Sequence, residues 1–252
     1  MIEFELPGPL LLSGRAHTSL AEEVADCLGV TLSRVQLSNF ANGEISCSID
    51  ESVRGRHVFI LQSHCGAVND AIMEQVLMVD AAKRASAESI TAVCPFFGYA
   101  RQDRRANGRE PIAARVLVDM LASAGANRIM SVDLHSGQIQ GFFNGPFDHL
   151  IARPILISYL KEHLAPVEDL VIVSPDAGRV KSAERYSSTL GSGMAIIHKQ
   201  RDYKKHNEVE AKYLIGDVKG KTCVIIDDMI DTAGTICAAA DLLAKEGATK
   251  IY

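Results

Sequence analysis

Short apolar runs that alternate with longer segments of helical period constrain this 252-residue chain more than any other feature. The runs at 10–13, 35–38, 57–62, 90–94, 128–132, 170–174 and 222–226 are rich in Leu, Ile and Val and bounded by turn-forming residues. Between them, residues 18–28, 70–84, 112–124, 154–163, 179–190 and 233–245 repeat apolar positions at helical spacing. Gly29, Gly125, Gly191 and Gly247 close several of these segments, where a residue without Cβ lets the chain leave a helix. Alternation of this kind predicts an α/β fold with mainly parallel central sheets flanked by helices, because parallel neighbours need a long return connection.

The pattern falls into two halves. Residues 89–98 and 169–178 each run an apolar strand into a proline and then a glycine, so two domains of similar topology are expected. Residues 141–149 are rich in Gly, Phe, Asn and Pro, and a new helical pattern starts at Pro154. That places a boundary near Ile151, giving an N-terminal domain of 1–151 and a C-terminal domain of 152–252. A hydrophobic content of 47% suffices for cores of that size. Lys250-Ile251-Tyr252 reads as the opening of another strand.

Net charge and cysteine spacing exclude several classes. A formal charge of -5 argues against a general nucleic-acid binder, so any anion site must be local. The six cysteines, Cys27, Cys47, Cys65, Cys94, Cys223 and Cys237, form neither a Cys-x-x-Cys pair nor a dense framework. Metal clusters and disulfide scaffolds are therefore not expected, and a reducing cytoplasm fits. The start Met-Ile-Glu-Phe-Glu-Leu-Pro carries acids where a signal peptide needs basic residues. No apolar run reaches transmembrane length, so no membrane partner is expected.

In open α/β sheets, ligands collect beyond the carboxyl ends of the strands. The last clear apolar run leads into Asp227-Asp228-Met229-Ile230-Asp231-Thr232-Ala233-Gly234-Thr235 and then a helix. Backbone N–H groups of Ala233, Gly234 and Thr235, with the Thr232 and Thr235 hydroxyls and the helix dipole, suit a dianionic phosphate. Two carboxylates aimed at that phosphate would repel it, so Asp227 and Asp228 better accept hydrogen bonds from ribose hydroxyls. The ligand so described is a phosphorylated ribose. The plainer reading is that Asp231 or Thr232 caps the helix and the acids occupy a solvated turn.

This loop resembles the phosphoribosyl-diphosphate loop shared by phosphoribosyltransferases and ribose-phosphate diphosphokinases. Four further segments resemble the diphosphokinases: Phe40-Ala41-Asn42-Gly43-Glu44; Tyr99-Ala100-Arg101-Gln102-Asp103-Arg104; Asp133-Leu134-His135 with Gln138-Ile139-Gln140-Gly141-Phe142-Phe143; and Ser174-Pro175-Asp176-Ala177-Gly178. The likeness covers essentially the whole chain in order, and by it the chain is identified as a member of the ribose-phosphate diphosphokinase family. The resemblance implies type I phosphoribosyltransferase-like domains, the second lacking the segment that completes its sheet. It implies transfer of the diphosphoryl group of Mg-ATP to the anomeric hydroxyl of ribose 5-phosphate, with AMP leaving. Mg²⁺, ATP, ribose 5-phosphate and further copies of the chain, in rings of six built from dimers, are the implied cofactor and partners.

Residue roles follow from the same resemblance. Phe40, Asn42, Gly43 and Glu44, on their own an ordinary polar turn, belong to the nucleotide across a subunit contact. Arg101, Gln102 and Asp103 belong to ATP; on their own the four arginines of residues 101–109, one isolated cluster in an acidic chain, suit a small polyphosphate better than a solvated basic turn or a nucleic-acid patch. His135 serves the metal-ATP site, through water or phosphate if not directly, since Mg²⁺ prefers oxygen. Asp176, by itself a turn residue, is assigned to Mg²⁺ near the ribose. Asp227, Asp228, Asp231, Thr232, Ala233, Gly234, Thr235 and Arg201 hold ribose 5-phosphate.

Residues 198–207 lack apolar periodicity and read as an exposed, mobile loop. Lys199 and Arg201 match the family's Lys-x-Arg pair, which neutralises charge on the transferred and leaving groups without a nucleophilic side chain. Arg179 and Ala233 stand where many relatives carry glycine. Ala233 is read as tolerable at a helix start, and Arg179 as restricting the backbone while adding a cation. His17, His57, His64 and His163 show no partner pattern. A phosphoribosyltransferase and an inactive regulatory homologue are the alternative readings.

Overall fold

The computed structural model describes residues 8–164, 169–200 and 211–252, without the side chains of residues 199, 200, 211 and 212. It separates into two units, Met1–Ile151 and Ala152–Tyr252.

The first unit runs β1 (Leu10–Ser13), α1 (Thr18–Leu28), β2 (Leu32–Ser33), β3 (Val35–Asn39), β4 (Ile45–Ile49), β5 (His57–Leu61), α2 (Val68–Arg84), β6 (Ser89–Cys94), α3 (Ala113–Ala124), β7 (Arg128–Val132) and β8 (Phe147–Leu150). Six strands form one sheet in the order β2-β1-β5-β6-β7-β8, with every pairing parallel. Helix α1 starts where the His17 ring accepts the Leu20 N–H and ends at Gly29, whose φ of 65° only glycine adopts readily. Leu12, Ile60 and Ile129 from the strands meet Met78, Leu117 and Leu121 from α2 and α3, all essentially inaccessible to water. Each such side chain stabilises the fold by roughly 1.5–3 kcal/mol relative to exposure.

Two expectations are corrected here. Residues 35–38 do not join the parallel sheet. As β3 they pair antiparallel with β4, register Leu37↔Cys47, and Val35, Leu37, Cys47 and Ile49 pack that hairpin against the core. Alternation of Val35 and Leu37 with Gln36 and Ser38 suits a half-exposed hairpin, whereas a parallel strand is covered on both faces. Residues 141–149, read as a boundary loop, contain the start of β8, which pairs with β7 at Ile129↔Phe147. Its polar members are tolerated because β8 is an edge strand, where Asp148 takes the Arg128 guanidinium at 2.6 Å.

The second unit runs α4 (Arg153–His163), β9 (Leu170–Ser174), α5 (Val180–Leu190), β10 (Gly193–Gln200), β11 (Ala211–Ile215), β12 (Thr222–Ile225), α6 (Gly234–Lys245) and β13 (Lys250–Ile251). Its sheet is ordered β11-β10-β9-β12-β13, parallel except for β10 with β11. Every residue of β9 is buried, as expected of a central strand with helices on both faces.

The reading of residues 198–207 as a mobile loop is corrected at residues 198–200. His198, Lys199 and Gln200 belong to β10 and pair with Tyr213, Lys212 and Ala211. An antiparallel ladder is held by backbone groups, so the hydrophilic end of a strand leaves no apolar period to read. Residues 201–207, Arg201 among them, lie outside the described residues. Among the described residues, no helix is long and apolar enough to cross a membrane.

Candidate functional site

In the second unit, Ile226 N–H donates to the Val173 carbonyl at 3.0 Å and Ile225 pairs with Val173, so β9 and β12 end side by side. The chain segments that follow them therefore emerge at one edge of the sheet. Beyond β9, Asp176 Oδ1 accepts the Gly178 N–H at 2.8 Å and the Arg179 N–H at 3.1 Å. This carboxylate organises the turn ahead of α5, as the turn reading foresaw.

Beyond β12 stand Asp227 and Asp228, joined by the Asp228 N–H donating to Asp227 Oδ1 at 2.9 Å. The Arg179 guanidinium reaches both acids, with Nη2 at 2.9 Å from Asp228 Oδ2 and Nε at 3.5 Å from Asp227 Oδ1. Burial pushes the Asp227 carboxyl up to about 6, and the adjacent Asp228 carboxyl adds to that; the Asp228 N–H and the Arg179 cation oppose it. The acids are thus partly buried and ion-paired, not a solvated turn.

The raised value has a definite sign in stability. Below about pH 4 Asp227 is protonated whether the chain is folded or not; above about pH 6 the fold must hold the disfavoured anion. This carboxyl's contribution to stability is therefore lost as pH rises through that window. Asp227→Asn is expected to melt close to wild type at pH 4 and above it at pH 7. A wild-type advantage at pH 7 would contradict the assignment.

Ala233 occupies the cap position of helix α6 and, having no polar side-chain atom, does not cap it. The N–H groups of a helix's first turn have no acceptor within the helix, and together with the helix dipole they suit an anion. Ala233 has φ 61° and ψ 0° in the left-handed region, so it is not simply tolerable at a helix start. Crowding of Cβ there costs roughly 1 kcal/mol. Ala233→Gly is expected to stabilise the unliganded protein by about that amount in denaturant titration, and a glycine variant no more stable than wild type would contradict the left-handed assignment.

In the first unit, the Tyr99 carbonyl accepts the Gln102 N–H at 2.8 Å and the Gln102 carbonyl accepts the Ala114 N–H at 3.2 Å, tying the arginine-rich segment to α3. Gln138 Nε2 donates to Asp103 Oδ2 at 2.5 Å, which brings residues 101–103 beside the turn that follows His135. Glu110 gathers the Ala106 and Asn107 N–H groups and the Asn107 amide, and these bonds hold its carboxyl below the ordinary value. Phe40, Asn42, Gly43 and Glu44 form the exposed turn of the β3–β4 hairpin, with Phe40 59% exposed. Gly43 takes φ 93°, and its N–H reaches the Phe40 carbonyl at 2.8 Å.

Several supporting residues carried no signal in isolation. His64, fully buried, accepts the Gly98 N–H at Nδ1 (3.0 Å) and faces Gln75 Oε1 from Nε2 (2.9 Å), while Gln75 Nε2 donates to the Ile60 and Val93 carbonyls. Glu74, 2% exposed, accepts from Arg15 Nε at 2.6 Å and from Gln62 Nε2 at 2.8 Å. The Glu-Gln pair within the otherwise apolar face of α2 was the legible hint. His149 Nε2 accepts the Leu134 N–H at 2.9 Å and so places the chain just before His135, where Asp133 has φ 41°. Among the described residues no group of three or more His, Cys, Asp or Glu side chains is arranged to hold a metal.

Open parallel sheets with polar segments at the carboxyl edge, one bearing an acid pair ahead of an uncapped helix, define a type I phosphoribosyltransferase-like α/β protein. A family profile described as the N-terminal domain of ribose phosphate pyrophosphokinase matches residues 10–125, and the phosphoribosyl transferase domain matches residues 150–252. The ribose-phosphate pyrophosphokinase of Streptomyces coelicolor is 53% identical over 96% of this chain and 74% of its own length. Ribose-phosphate pyrophosphokinase 1 of Streptococcus pyogenes is 51% identical over 94% of this chain and 74% of its own. The crystal structure of phosphoribosylpyrophosphate synthetase from Mycobacterium smegmatis matches with a TM-score of 0.91 and 51% identity, covering 97% of this chain and 79% of that one. The chain belongs to the ribose-phosphate pyrophosphokinase family of enzymes.

Proposed function

We propose that this chain transfers the diphosphoryl group of Mg-ATP to the anomeric hydroxyl of ribose 5-phosphate, forming 5-phosphoribosyl 1-diphosphate and releasing AMP. The observation that carries this reading is the paired Asp227 and Asp228 standing just ahead of the uncapped start of α6. Acids suit vicinal hydroxyls and the N-terminal amides of a helix suit a phosphate, so one ligand bearing both groups satisfies the segment.

In this scheme Asp227 and Asp228 orient the ribose, while Asp231, Thr232, Ala233, Gly234 and Thr235 anchor the 5-phosphate. Arg101, Gln102 and Asp103 bind ATP. Phe40, Asn42, Gly43 and Glu44 serve the nucleotide of a neighbouring copy in a family-type oligomer, which would give the exposed Phe40 ring a partner. Lys199 and Arg201 neutralise charge that builds on the transferred group and on AMP. Reaction at phosphorus needs alignment and electrostatic stabilisation more than a nucleophilic side chain.

Neither His135, in the first unit, nor Asp176, in the second, forms a protein cage for Mg²⁺, but each fits a cation whose hard ligands are supplied by substrate phosphate oxygens, His135 for the metal-ATP site and Asp176 near the ribose. Such a cation would offset charge on the polyphosphate.

Incubating the purified chain with Mg-ATP and ribose 5-phosphate, with no nucleobase, should release AMP and phosphoribosyl diphosphate in equal amounts. A phosphoribosyltransferase would form neither product under these conditions, and their absence would overturn the reading.

A further inference from the structure

The fold puts the Arg179 side chain to use. Its backbone is fixed from below, because its own N–H and that of Gly178 both donate to Asp176 Oδ1. From that anchor the guanidinium lies across the carboxyl ends of β9 and β12, 2.9 Å from Asp228 and 3.5 Å from Asp227. All three side chains are largely withdrawn from solvent, at 17%, 14% and 13% exposure for Arg179, Asp227 and Asp228. Two adjacent carboxylates without a cation would repel each other and repel any anionic ligand that approached them. A planar fork spanning both acids also fixes their side-chain rotamers before a ligand arrives.

We propose that Arg179 is a positioning residue of the pentose site: by bridging Asp227 and Asp228 it holds the acid pair ready for the vicinal hydroxyls of a ribose phosphate and halves the negative charge that ligand meets. The inference rests on the assignment of Asp227 and Asp228 to ribose 5-phosphate. It differs from a direct phosphate contact, because Arg179 acts through the acids and its effect must vanish when they are altered. Pre-ordering of this kind appears in binding more than in turnover, since the ordering is complete before the ligand enters.

The test is a double-mutant cycle read by calorimetric binding of ribose 5-phosphate to the full chain, with the KM values for ribose 5-phosphate and ATP measured alongside. Arg179→Met should weaken ribose 5-phosphate binding by about tenfold and raise its KM in step, with kcat and the KM for ATP within about threefold of wild type. Arg179→Lys, which keeps the charge but not the fork, should fall between the two and guards against a folding defect in the methionine variant. Adding Arg179→Met to Asp228→Asn should weaken binding little beyond Asp228→Asn alone. Wild-type affinity in both Arg179 variants overturns the proposal, as does a double variant weakened by the full product of the single effects. If wild type itself fails to bind ribose 5-phosphate, the functional reading falls and this inference with it. Intact wild-type binding with an indifferent Arg179 sinks the inference alone.

Discussion

Lys199→Ala is expected to lower turnover by at least about 100-fold while leaving the KM for ATP near its wild-type value, the scale set by removing one donor that acts on the transition state. The expectation rests on family likeness and on where the strand puts this residue. β10 pairs with β9 only as far as Ile196↔Ser174; from there its last residues pair with β11 alone. Lys199 therefore lies beyond the point where β9 ends, at the same end of the sheet as Asp176. A group that meets the migrating diphosphoryl unit only as charge builds should change kcat and spare ground-state binding. Timed AMP release at saturating substrate measures it. Turnover within about threefold of wild type would remove Lys199 from the reaction.

His64→Leu is expected to cost about 3 kcal/mol, because it leaves the Gly98 N–H buried without its partner and Gln75 Oε1 with only the weakly donating Cys94 thiol, at roughly 1–3 kcal/mol for each bond lost. For a unit of this size that is a fall in Tm of roughly 6–12 °C. Burial pushes the His64 imidazole down to about 4, so the folded chain holds it neutral where the unfolded chain takes up a proton. Wild-type stability from this group is therefore lost as pH falls from about 6.5 to about 4, and the gap between wild type and variant should narrow over that interval. The same bond fixes Gly98, whose neighbour Tyr99 has φ 59°, so the variant should also loosen the turn that presents Arg101 and Gln102. Melting curves at several pH values decide it; a variant as stable as wild type at pH 7 would dismiss the network as an anchor.

Where one apolar period ran unbroken, the sequence was sufficient: β1, β7, β9, α1 and the closing glycines all lie where periodicity and helix-stop chemistry put them. Strand ends and edges were harder. Residues 193–200 carry an apolar stretch that ends in His198, Lys199 and Gln200, and only pairing with β11 shows that the strand continues through them. Phe147-Asp148-His149-Leu150 is an edge strand, stabilised by backbone pairing and one ion pair. At the acid pair, residue types and order were enough to propose a sugar phosphate. The bridge from Arg179 could not be read, because it joins residues far apart in sequence through strands whose order the sequence does not state. The left-handed backbone at Ala233 was hidden for a different reason: alanine gives no sign of that conformation, whereas glycine would have.

The ladder between β10 and β11 has a mechanical consequence. Past the end of β9 it is a two-stranded ribbon, so Lys199 is mounted on a lever stiffened by the opposing strand. Lys199 lies opposite Lys212 in register, and bending the ribbon must carry both backbones together. Any displacement of Lys199 in the proposed transfer is therefore shared with the residues of β11 opposite it, and the compliance of that second strand limits how far the lysine travels.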